Sequence, residues 1–160
     1  MARGKKWYAI YYDDEQYVFW ASPMATKKVM AAIVSRWENP PLRLRLANGS
    51  AFALSDLRDE IHSHVYLVQL LTFHQTQEGK LYYKIGKAKS IPKRIKQFGL
   101  CRLIASIKLP TEQASLRVES ELHVMFSHLR RPDTEIFCMD VTELQAVVAE
   151  CSRYTKTVSQ

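Results

Sequence analysis

Eight basic side chains fall between Lys84 and Lys108 with no acidic one among them: Lys84, Lys87, Lys89, Lys93, Arg94, Lys96, Arg102 and Lys108. Lysine and arginine give charge-assisted hydrogen bonds to phosphate oxygens, so the chemistry on offer is the docking of a polyanion. The whole 160-residue chain carries +7, and outside this window 15 basic residues face 16 acidic ones, so the positive charge is local. The same charges also suit a solvated helix face, and composition does not separate the two readings. Cys101, Cys138 and Cys151 are odd in number, far apart and without metal-ligand spacing. That argues against a zinc site or a disulfide framework and for reduced, partly buried thiols.

The elements that would position the window lie within residues 82–99, YYKIGKAKSIPKRIKQFG. Tyr82, Lys84 and Ile85 sit in a β-favouring run, and Gly86 permits a bend or a close backbone approach. Ser90 can cap a helix beginning at Ile91, with Pro92 in its first turn. Ile91, Ile95 and Phe98 fall at i, i+4 and i+7, which predicts one apolar stripe, with Lys93 and Lys96 pointing away and Arg94 at its edge.

The flanking chain reads as two α+β stretches. Trp7 to Tyr12 and Gln16 to Ala21 predict a hairpin across Asp13, Asp14 and Glu15. A helix from Ser22 and Pro23 follows, carried by Ala25, Val29, Ala32, Ile33 and Trp37 and stopped by Asn39, Pro40 and Pro41. Leu42, Leu44 and Leu46 alternate with Arg43 and Arg45 into an Asn48-Gly49 turn, and the chain returns over Ala51 to Leu54. Arg43 and Arg45 share a strand face, where they would touch phosphates or stand as ordinary exposed arginines. Ser55 is expected to cap a short acidic helix ending near Ile61. From His62 the pattern restarts: a strand over Val65 to Leu71, a loop from His74 to Lys80, a strand over Leu81 to Ile85, the basic helix, and a strand over Leu103 to Leu109. Thr111 then opens a long helix with the stripe Ala114, Val118, Leu122, Met125 and Leu129, ending before Pro132. A short strand, Ile136 to Met139, precedes a last helix that starts at Asp140 or Thr142 and carries Leu144, Val147 and Val148, before a tail that frays.

At 47% hydrophobic and 24% charged residues, the composition is globular, with material for one compact domain or two small ones. Neither a signal peptide nor a membrane span is legible, so an intracellular, cytoplasmic location is expected.

Taken in order, several of these strings resemble the GIY-YIG nuclease superfamily over about residues 64–140. His64-Val65-Tyr66 stands where that family has Gly-Ile-Tyr, and Lys84-Ile85-Gly86 where it has Tyr-Ile-Gly. Lys87, Arg94 and Glu119 match as well. Lysine at position 84, Glu119-Ser120-Glu121-Leu122-His123 and Glu135-Ile136-Phe137 resemble a phage-rich branch with a Lys-Ile-Gly variant, a later Glu-x-x-Leu-His and a Glu-x-Phe. Phe98 stands where several members have tyrosine or histidine.

The resemblance implies an α+β fold, with a three-stranded antiparallel sheet flanked by helices over residues 62–160. A hairpin-helix-hairpin accessory module over residues 1–61 precedes it. The implied activity is metal-dependent hydrolysis of DNA phosphodiesters, which needs a positioned cation, a group that activates water, and donors for the charge that builds on phosphate. Glu119 would hold Mg²⁺ or Mn²⁺, Tyr66 would orient or deprotonate water, and Lys87 and Arg94 would contact the scissile phosphate, with Lys84 as a further cationic ligand. Helical geometry alone does not choose between Glu119 and Glu121; the motif selects Glu119. Lys89, Lys93, Lys96, Arg102 and His123 are the expected nucleic-acid contacts, with His123 also open as a partner of Glu119 or as a structural histidine. With Phe98 unable to move a proton, the acceptor is Tyr66, a lysine or metal-bound water. The expected partner is DNA, with a protein partner or a homodimer through the N-terminal module left open, and the resemblance points to a phage or mobile-element origin. A catalytically silent DNA-binding module and a protein-interaction module on the same fold are the alternatives.

Overall fold

The computed structural model describes residues 4, 6–12, 15–72 and 78–158. Asp13 and Asp14 of the expected acidic turn, residues 74–77 of the expected loop and the last two residues of the tail lie outside the described residues. The chain divides into two compact units, Met1–His62 with Pro110–Gln113, and Ser63–Leu109 with Ala114–Gln160.

The first unit runs β1 (Lys6–Tyr12), β2 (Glu15–Ala21), α1 (Thr26–Val34), β3 (Arg43–Leu46), β4 (Ala51–Ala53) and, after a 3-10 turn at Leu54–Leu57, α2 (Arg58–Ile61). Its four strands form an antiparallel sheet in the order β2-β1-β3-β4. Alternation sends Ile10, Phe19, Leu44 and Leu46 to one face, where they pack with Met30, Ala31 and Val34 of α1 and with Leu57 and Ile61. Two expectations are corrected here. The helix α1 ends at Val34, short of Trp37, with the Ser35 hydroxyl donating to Ala32 O at 2.9 Å just past its end. Ser55 does not cap the acidic helix; Ala53 N donates to the Asp56 carboxylate at 3.2 Å, and a 3-10 turn precedes α2.

The second unit runs β5 (Ser63–Leu70), β6 (Leu81–Ala88), α3 (Ile91–Ile95) with a 3-10 turn at Lys96–Phe98, β7 (Cys101–Leu109), α4 (Glu112–Met125), a 3-10 turn at Ser127–Leu129, β8 (Ile136–Met139) and α5 (Val141–Val158). The sheet has four antiparallel strands in the order β7-β5-β6-β8, and not the three expected. The fourth is β8, which pairs Met139 to Ile136 against Leu81 to Lys84 of β6. Phe137 and Met139 of β8 are almost fully buried, which explains why so short a strand holds its place.

Strand β5 is buried on both faces. Val65 and Leu67 enter a core with Ile85, Ile107, Val118, Leu122, Phe137 and Val147, while Tyr66, Val68 and Leu70 pack with Ile91 on the other face, flanked by Ile95 and Phe98. The α4 stripe holds at Ala114, Val118 and Leu122, but Met125 is exposed. Leu129 is buried as expected, and Phe126, four residues after Leu122, takes the buried place instead of Met125. Asp140 opens α5 with a capping box: its carboxylate accepts from Glu143 N at 2.8 Å, and Asp140 N donates back to the Glu143 carboxylate at 2.8 Å. Among the described residues, no helix is long and apolar enough to cross a membrane.

Candidate active site

Strand β8 covers β6 only as far as Lys84, so among the described residues the edge of β6 beyond it has no ladder partner. Residues from both faces of the sheet gather at that edge. Strand alternation puts Lys87 on the α4 side with Ile85, and puts Lys84 and Gly86 on the α3 side with Tyr66.

On the α4 side, Ser115, Glu119 and His123 are spaced four apart and form one row. The buried Ser115 hydroxyl donates to Ser63 Oγ at 3.0 Å, which ties the row to β5. His123 Nε2 donates to Ile85 O at 2.9 Å, supplying a donor where β8 supplies none, and its ring meets Phe137 edge-on with centroids 5.3 Å apart. Glu119 sits between these two fixed points. It is half-buried, and among the described residues its carboxylate makes no hydrogen bond or ion pair. Burial raises the Glu119 carboxyl above its usual range, while the charges of His123 and Lys87 pull it back. Glu121 differs in every respect. It accepts from Tyr154 Oη at 2.6 Å and pairs with Arg117 at 2.8 Å, and those hydrogen bonds hold its carboxyl below the usual range.

On the α3 side the Tyr66 ring lies across Gly86, its neighbour on β6. A Cβ built on Gly86 would stand 2.5 Å from the Tyr66 hydroxyl and 2.7 Å from Cζ. Gly86 is therefore a mid-strand residue that admits a side chain from the next strand, and β6 continues through it to Ala88 without a bend. Burial pushes the Tyr66 phenol up to about 12; Arg94 opposes that shift, and Glu119 and Glu135 add to it. Phe98 packs against the Tyr66 ring at 6.0 Å, and the Lys84 ammonium lies 5.5 Å from the Phe98 centroid. Lys84 is also ion-paired with Glu135.

The charges of Lys84, Lys87 and His123 thus act on Glu119, and those of Arg94 and Glu119 on Tyr66, across a half-buried edge. The α3 helix carries Lys93 and Arg94, and its 3-10 turn carries Lys96, on the exposed side, with Arg94 donating to the Gln97 side chain at 3.1 Å, and Ser90 occupies the N-cap of α3 without a side-chain cap bond. Lys89 is exposed just before it. Arg102 stands apart from this group. It lies on β7 opposite Gln69, whose side chain accepts from it at 2.9 Å, while Lys87 faces Val65 four residues away along β5. Glu135 acts on Lys84, Tyr66 and Glu119 but does not figure among the expected site residues, although its Glu-x-Phe string was legible. Cys151 is buried, which pushes its thiol up to about 11, and Cys101 and Cys138 are also free.

No curated protein and no solved structure matches the chain significantly. A family model does match: the T5orf172 domain, a phage-associated domain of the GIY-YIG/HNH-like nuclease-related kind, over residues 63–152. Those residues carry Tyr66, Lys84, Lys87, Arg94 and Glu119 and the helix that presents the basic side chains, and the match suggests a nuclease-like or DNA-binding role. Because the match spans more than half of its length, the chain belongs to the T5orf172 domain family.

Proposed function

We propose that the second unit is a metal-dependent DNA endonuclease with a GIY-YIG-like site. The observation that carries this reading is the half-buried Glu119 carboxylate, fixed between two hydrogen-bonded neighbours and left without a protein partner among the described residues. Among the described residues no three His, Cys, Asp or Glu side chains converge as a metal cluster, so the donor set fits a cation that takes one carboxylate, several waters and substrate oxygens. Mg²⁺ or Mn²⁺ suits that set. When bound at Glu119, the cation would neutralise phosphate charge and acidify the attacking water.

The chain's own groups have separate tasks. Lys87 and Arg94 offer donors to the phosphate oxygens on which charge builds as water attacks phosphorus and an ester P–O bond breaks. With its phenol near 12, Tyr66 stays neutral at pH 7, which suits holding the water by a hydrogen bond better than taking its proton. Glu135 fixes the Lys84 ammonium beside Phe98 and Tyr66. The exposed side of α3, with Lys93 and Lys96, lies along the DNA backbone.

Incubation with supercoiled plasmid should yield nicked or linear DNA with Mg²⁺ or Mn²⁺ and none with EDTA. Intact plasmid across both metals and a range of sequences would sink the proposal. A catalytically silent DNA-binding module is the second reading. It is favoured by Phe98, which stands against Tyr66 and carries no proton.

A further inference from the structure

The first unit holds an aromatic surface that the nuclease reading leaves unused. Its sheet buries one face under α1 and α2, and the opposite face carries Trp7 of β1 and Trp20 of β2. These two are direct cross-strand partners, 67% and 45% exposed, with ring centroids 4.5 Å apart in an edge-to-face arrangement. Two large indoles kept in water on neighbouring strands cost solvation that a folded core would recover, so their exposure points to a ligand.

The chemistry of that ligand follows from the neighbouring strand. Leu46 lies opposite Ile10 and both are buried, so Arg45 and Arg43 share the outward face with the tryptophans. Both arginines are exposed. Arg45 lies opposite Tyr11, roughly 13 Å along β1 from Trp7 at about 3.3 Å per residue, so the aromatic pair and the arginines form a track longer than one contact. Flat π-faces next to guanidinium groups match a partner with exposed bases strung on phosphates. In duplex DNA the bases are stacked on one another and closed to such a face, whereas in a single strand they are open.

We propose that this face binds single-stranded nucleic acid, with bases stacking on Trp7 and Trp20 and phosphates on Arg43 and Arg45. The proposal is independent of catalysis in the second unit. Its test uses the full chain in EDTA, so that no cleavage intervenes, and fluorescence anisotropy with one short labelled oligonucleotide offered single-stranded or as its duplex. Trp7→Ala and Trp20→Ala should each weaken single-strand binding roughly 5- to 100-fold, in keeping with the loss of one stacked base, and leave duplex binding close to wild type. Trp7→Phe, which keeps an aromatic face, should recover much of the loss. The double variant Arg43→Gln with Arg45→Gln tests the face without touching the aromatic pair. It should lower the slope of log K against log salt on the single strand by about 0.7 for each lost phosphate contact. Unchanged single-strand affinity in the tryptophan variants, equal loss on single strand and duplex, or an unchanged salt slope in the arginine variant would overturn the proposal. So would concentration-dependent self-association that Trp7→Ala abolishes while oligonucleotide binding stays intact, since that would make the face a protein interface.

Discussion

Two carboxylates stand two residues apart on α4, one on each flank of the stripe made by Ala114, Val118 and Leu122, and their surroundings are opposite. Glu121 is satisfied by Tyr154 of α5 and by Arg117 one turn back on α4, and their hydrogen bonds lower its pKa. Glu119 looks toward the uncovered edge of β6, where burial raises its pKa and, among the described residues, no side chain pairs with it. Glu121 works for the fold. Burying part of an unpaired carboxylate works against the fold, and Glu119 is held there in a row fixed by Ser115 and His123.

Several variants break or sharpen that contrast. Glu119→Gln should cut plasmid cleavage roughly 10³-fold or more, because it removes the charge that would attract the cation while keeping size and polarity. In the same assay Glu121→Gln should cleave like wild type. Tyr66→Phe should cost roughly 10²-fold, the low end for an acid–base group, since a phenol near 12 orients water rather than ionising. Loss to background in both glutamate variants would erase the distinction between the two flanks.

A smaller effect is expected at Gly86. An added methyl would stand 2.5 Å from the Tyr66 hydroxyl and 2.7 Å from the ring at Cζ, and Tyr66 is 2% exposed, so the side chain has little room to yield. Gly86→Ala should destabilise the protein by about 1–3 kcal/mol in chemical denaturation and lower cleavage through Tyr66 as well. Neutralising Lys93 and Lys96 together should leave stability unchanged and reduce the salt slope of duplex binding by about two units if each meets a phosphate. An unchanged slope would move the contact surface off α3.

The smallest effects are on stability, and their signs oppose. The folded-state pKa of Glu119 is raised, so the folded protein binds more protons than the unfolded chain. Its contribution is therefore most favourable below the unfolded pKa and is lost as pH rises through the folded one. Glu119→Gln should melt at or above the wild-type temperature at pH 7, with the gain fading in acid. The pKa of Glu121 is depressed, so its contribution is present above the unfolded carboxylate pKa and lost as pH falls through the folded one. Glu121→Gln should lose under about 1 kcal/mol at pH 7, a modest figure because the Glu121 side chain is 41% exposed and screened by solvent. Melting curves against pH would show both.

Much of this arrangement was legible in the chain. The strands and the basic helix followed from periodicity and spacing, since Ile91, Ile95 and Phe98 do form the inward side of α3 and its 3-10 turn, whereas Tyr66, Lys87, Arg94 and Glu119 were picked out only by the resemblance to the GIY-YIG superfamily. Three features were not legible, each for a tertiary reason. The three-stranded sheet came from the resemblance, and the expected strand β8 announces its apolar character but not its partner, so its place as a fourth strand beside β6 was not legible. Helical geometry placed Glu119 and Glu121 symmetrically about the stripe, and only the positions of Tyr154 on one side and Ile85 O on the other distinguish their flanks. Met125 and Phe126 exchange roles because both lie at helical spacing from Leu122, three and four residues on, and only the packing decides which of them is buried.

Glu119 is the residue we propose to carry the cation. Water-proton relaxation during Mn²⁺ titration, with duplex DNA present, reads that step without requiring turnover. Wild type and Glu121→Gln should show the same enhancement and the same Mn²⁺ affinity, and Glu119→Gln should show neither. Equal Mn²⁺ binding in Glu119→Gln and wild type would contradict the assignment.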